Sequence, residues 1–145
     1  MATVRTDVKT YIVDQLAQVL NGQVEVSRSW PGPNLARDHI WIDRASGTVT
    51  FPLMMAGRKT RQDEFTIWLV FQASGPGDTA AEVEARAEDY ADVFGAWLAD
   101  DPSLGDMAGI IHAQPGEVEG PDGFPLDEGH AAYVIAQLNV LSRLD

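Results

Sequence analysis

The sequence predicts an α+β fold: a mainly antiparallel sheet packed by an N-terminal helix and one long central helix. Three observations carry this. Glu64-Phe-Thr-Ile-Trp-Leu-Val-Phe-Gln72 begins in alternation and becomes an unbroken apolar run, the pattern of a strand inside a sheet with both faces at least partly covered. Gly75-Pro-Gly-Asp then breaks the strand, because Pro donates no ladder hydrogen bond and Gly permits the reversal. An amphipathic segment follows at once. Val83, Ala87, Tyr90, Phe94, Trp97 and Leu98 recur at helical spacing, and Glu84, Glu88 and Asp92 fall on the far side, toward water. Strand and helix should form the core, with Phe94 and Trp97 packed under the Ile67–Phe71 strand.

The remaining elements follow in chain order. Residues 4–20 read as the first helix: Val8, Ile12, Leu16 and Val19 share a face, and Asn21-Gly22 supplies a left-handed stop. Val24 to Trp30 alternates as a strand, and Pro31-Gly-Pro-Asn makes a stiff loop. His39 to Asp43 is a second strand, Ala45-Ser-Gly47 a turn, and Thr48 to Ala56 a third strand. Pro52 inside that strand calls for an edge position or a bulge. Gly57-Arg-Lys-Thr-Arg61 is then the tip of a hairpin that spans about residues 47–65. Thr79-Ala-Ala-Glu82 has capping-box spacing for the long helix, and Asp100-Asp101-Pro102 ends it. Ile110-Ile-His-Ala reads as a strand. Residues 117–129, rich in Gly, Pro and acids, read as a surface loop. The β-branched content of residues 130–144 selects a closing strand over a helix. The whole, residues 1–145, is expected to be one domain.

Composition limits the function. A formal net charge of -12 and a pI near 4.4 argue against a nucleic-acid grip, which needs basic surface to displace counterions. The chain has no Cys, so disulfide frameworks and thiolate metal sites are excluded. The sequence opens on no signal-like segment, and no uncharged run reaches about 18 residues, so a soluble protein of a reducing compartment is expected. The cations are uneven: only Arg86 and Arg143 follow Arg61. Such asymmetry marks a molecule whose two ends meet different partners, or each other in neighbouring subunits. Acidic loops and a solvated acidic helix explain it equally well.

No residue pattern points to catalysis or a metal. His39, His112 and His130 have no i, i+4 pairing and no HExxH context. Asp100-Asp101 and Asp122 with Asp127-Glu128 lack the ligand spacing of a calcium loop. Gly75-Pro-Gly-Asp is followed by no Lys and so makes no phosphate cradle. There is no Gly-x-Ser-x-Gly elbow. The candidate site is an interaction surface instead. The hairpin tip concentrates Arg58, Lys59 and Arg61 beside Met54 and Met55, and a plain solvated turn would carry the same residues.

In layout, Val4–Leu20, Asp63-Glu-Phe-Thr-Ile-Trp, Ala80–Leu98 with Trp97, and the closing Ala131–Leu144 strand resemble the tail terminator (tail-completion) proteins of long-tailed bacteriophages. The resemblance spans nearly the whole chain and rests on order and size rather than on a diagnostic motif. It implies a ring, typically of six subunits, that caps the tail tube and joins it to the head connector or stopper protein. Double-stranded DNA would pass through the centre unread, and an acidic lumen suits that passage because it repels phosphate. The place would be the virion, at the head–tail joint, after assembly in the host cytoplasm. No catalytic residue and no cofactor come with the family. Within a ring, the tip is expected to reach the tube or the next subunit, toward Glu84, Glu88 and Asp92. Head-completion and tail-tube proteins are rival readings. So, from another class, is a small ligand-binding or enzymatic α+β domain with Trp30, Trp41 and His39 lining an apolar pocket.

Overall fold

The computed structural model describes residues 4–32, 37–55 and 58–144, the side chains of 51–60 and 144 excepted. Two helices, α1 (Val4–Val19) and α2 (Ala80–Asp100), accompany five strands. The strands are β1 (Glu25–Ser27), β2 (His39–Met55), β3 (Arg58–Pro76), β4 (Ile110–Leu126) and β5 (Gly129–Leu144), in the spatial order β1-β2-β3-β5-β4. Among the described residues only β1 and β2 pair in parallel; the other pairs are antiparallel. The fold is α+β, as the sequence predicts.

Both helices cover the same face of the sheet. On β3, Phe65, Ile67, Leu69, Phe71 and Ala73 point into one core with Val8, Ile12 and Leu16 of α1 and with Val83, Ala87, Phe94 and Leu98 of α2. The partners on β5 are Ala132, Val134, Ala136, Leu138 and Val140. Fully burying such a side chain contributes about 1.5–3 kcal/mol. Phe94 lies under Phe71, ring centroids 5.7 Å apart. Trp97 is half-buried and bridges Phe94, at 5.9 Å, to Tyr11 of α1, at 6.0 Å. The core of α2 is therefore carried by Phe94, with Trp97 at its margin.

The caps follow the expected chemistry. Thr79 Oγ1 accepts from the Glu82 amide at 3.3 Å, and the Asp101 amide donates to Leu98 O at 3.1 Å. Asn21 and Gly22 both take positive φ, 53° and 73°, and stop α1. Arg5 near the start of α1 makes a two-pronged contact with buried Asp63 of β3, 2.7 Å on each branch. That pair ties the start of α1 to β3.

Three expectations are corrected. Residues 117–129 are not a surface loop: β4 runs to Leu126, paired to β5 through three register shifts. Two of the shifts take up Gly116, Gly120 and Pro121, so turn-forming composition here marks an irregular edge strand. Ala45-Ser-Gly47 is not a turn either, and His39–Met55 is one strand with a shift between Ile42 and Arg44. Gly47 is there for close approach, because a Cβ would overlap the backbone of Glu64 and Phe65. The first strand ends at Ser27, where β2 bulges, instead of continuing to Trp30. Pro52 does fall at a bulge, between Thr50 and Leu53. Pro33 and Asn34 of the expected stiff loop, and Gly57 of the tip, lie outside the described residues.

Candidate functional site

The three histidines take separate positions. His39 is buried, 2.8 Å from Ser27 Oγ and edge-on to Trp41. Burial pushes its pKa below the ordinary value, with Arg37 acting in the same direction and Glu25 opposing. His130 Nδ1 lies 2.9 Å from the Asp78 carbonyl, and His112 is exposed on β4. Among the described residues, no three His or carboxylate groups converge on a metal position. Trp41 packs in the sheet at 8% exposure while Trp30 stands out at 61%. An open cleft of about 660 Å³ lies elsewhere, beside Glu25, Arg37, Asp38 and Ser74.

That cleft borders a charged network that the sequence reading missed. Arg86 of α2 grips Asp38 through Nε and Nη2 at 3.0 and 2.9 Å, Asp78 through Nη1 at 3.0 Å, and the Ser74 carbonyl at 3.2 Å. The Tyr90 hydroxyl donates to Asp38, whose carboxylate also accepts from the Ser74 amide at 3.0 Å. Burial alone would raise the Asp38 carboxyl, but Arg86, Tyr90 and the Ser74 amide outweigh it and hold the pKa below the ordinary value. The Tyr90 phenol is pushed up to about 12, by burial first and then by Asp38. Since Asp38 sits just before β2, the network ties the entry of that strand to the first turns of α2. A signal existed: Arg86 lies three residues after Val83 and four before Tyr90, on the flank of the buried stripe.

The hairpin residues occupy the other end of the sheet. β2 and β3 stay paired out to Met55 and Arg58, whereas β5 ends at Leu144 opposite Arg61. A two-stranded arm thus runs past the sheet. Met54, Met55, Arg58 and Lys59 lie on its backbone, and their side chains fall outside the described residues. Arg61 is half-buried beside Val4, Asp63 and Ser142. On α2, Glu88 and Asp92 are exposed. Glu84 is half-buried over β4, where a Cβ added at Gly123 would lie 3.1 Å from its Oε1. Within one chain the described groups of the tip and these three acids are not in contact.

No protein-family model and no curated protein matches the chain. Among solved structures, a chain titled "Virion of native gene transfer agent (GTA) particle" is similar at a TM-score of 0.49 and 10% identity, with 94% of each chain covered. That likeness transfers no residue and no role. Among the described residues, no helix is long and apolar enough to cross a membrane.

Proposed function

We propose that this chain is a structural component of a tailed-phage-like particle, acting as a tail terminator: a ring, of six subunits by the family resemblance, that caps the tail tube beneath the head connector. It is a single domain with a projecting hairpin, and its role is assembly rather than catalysis. The observation that carries this reading is the two-stranded arm. The arm extends beyond β5 and carries Arg58 and Lys59, with Arg61 at its base, in a chain of net charge -12. An arm that runs past the sheet is suited to a neighbour, and cations suit an acidic one. The partners are further copies of this chain, the tail tube protein and the connector or stopper, with double-stranded DNA crossing the lumen.

Purified protein added to isolated tail tubes, followed by electron microscopy, tests the reading. A closed ring on one tube end is the expected result. A lone monomer at the joint, or no binding to tubes, overturns it.

A further inference from the structure

The two outer edges of the sheet are unlike, and each carries what the other lacks. Beyond Trp41, no described strand lies outside β2, and none lies outside β4. From Arg44 to Thr50 the β2 edge holds one cation and no acid, and Arg44 is stacked over Trp68 with its guanidinium carbon 4.1 Å from the ring centre. β4 holds Glu117, Glu119 and Asp122, all exposed, and neither Lys nor Arg. Exposed apolar side chains also gather on these edges. Of the five large ones among the described residues, Val49 is on β2 and Ile111 and Val118 are on β4, at 38%, 45% and 59% exposure.

We infer that the β2 edge of one copy docks against the β4 edge of the next copy, with Arg44 meeting the β4 acids and Val49 meeting Val118. A heterologous contact joins two different surfaces of one chain when it repeats about an axis, and the two edges of one sheet supply such a pair. Like edges fit less well, because β4 against β4 sets acids against acids. Pro115, Pro121 and Pro125 remove backbone donors from β4, so the contact is made by side chains more than by a continuous ladder. The inference rests on the ring reading and names its subunit contact. It differs from the tip-to-α2 contact expected from the sequence, because the acids of β4 lie along the sheet edge while Glu88 and Asp92 lie on the helix layer.

The absence of Cys permits a direct test. The double variant Val49→Cys/Val118→Cys, treated with a short bis-maleimide over concentrations up to millimolar, should give a ladder of covalent dimers, trimers and larger species. Each single variant should give none. Glu117→Lys/Glu119→Lys/Asp122→Lys in the same background should lower the ladder yield roughly tenfold. Dimers from Val49→Cys alone, an unchanged yield in the charge variant, or no ladder at any concentration overturns the contact. The ring reading is scored separately on tubes. Rings without a ladder overturn the edge contact alone, and a ladder without rings supports the contact while removing the terminator role.

Discussion

β3 and β5 run in one unbroken register, from Arg61 opposite Leu144 to Pro76 opposite Gly129. The strands outside them slip: β2 at Asp43 and Pro52, β4 at three places. The inner pair turns alternate residues into the helix-covered core, while the outer strands expose most of theirs. A strand paired on both sides cannot bulge without breaking two ladders, whereas an edge strand breaks one. Irregularity therefore collects where it costs least. The inner pair carries stability, and the edges are free to carry recognition.

The comparison breaks first if the core is misplaced. Phe94→Ala should cost about 3–5 kcal/mol, since Phe94 is 1% exposed against Phe71. Trp97→Ala should cost clearly less, because the indole lies at the core margin. Urea denaturation of both variants checks the order, and equal losses would place the two rings at the same depth.

Gly47→Ala should come next, at about 1–3 kcal/mol. The added methyl overlaps the backbone at Glu64 and Phe65, so β2 must move off β3 where edge and inner strand meet. The same substitution at exposed Ser46, its neighbour on β2, should be nearly silent in a thermal melt.

Arg86→Met sharpens the comparison at the opposite end of the sheet. Hydrogen bonds to charged groups contribute about 1.5–3 kcal/mol when well buried; Arg86 is partly exposed, so a loss of about 1 kcal/mol at neutral pH is expected. The sign with pH follows from Asp38. A carboxyl whose folded pKa is lowered gives stability that is present above its unfolded pKa, about 3.9. That stability is lost as pH falls through the folded value. The gap between parent and variant should narrow below about pH 4, and a gap constant from pH 7 to pH 2.5 would show that Asp38 is not the group involved.

How much of this was legible follows the same division. Both helices, their caps and the inner strands could be read because burial imposes a period on residues such as Val83, Ala87 and Phe94. The start of β4, Ile110-Ile-His-Ala, could be read as a strand, but its continuation to Leu126 could not, since an edge strand keeps its Pro and acids on the water side and reads as loop. Ala45-Ser-Gly47 misled for a related reason: Gly47 serves a close approach, and composition alone does not separate that from a turn. The Arg86 network was hidden because Asp38 and Arg86 lie 48 residues apart. The charge imbalance was visible from the start, but its division between the two edges needed the strand order.

The smallest expected effect on folding belongs to the arm. Arg58, Lys59 and Arg61 all changed to Glu should leave the melting temperature of the isolated protein within about a degree of the parent, since exposed pairs are individually worth about 0–1 kcal/mol. Arg61, half-buried beside Asp63, is the one position where a small loss is expected. Assembly should respond very differently, because one weak contact repeated around a ring multiplies its effect. Tube capping should fail, and fail most at low salt, where repulsion between the new carboxylates and an acidic neighbour is least screened. Raising the salt should restore part of the capping if charge alone is at fault. A melt unchanged together with normal capping at every salt concentration would reduce the arm to a solvated hairpin and leave the sheet edges as the assembly surface.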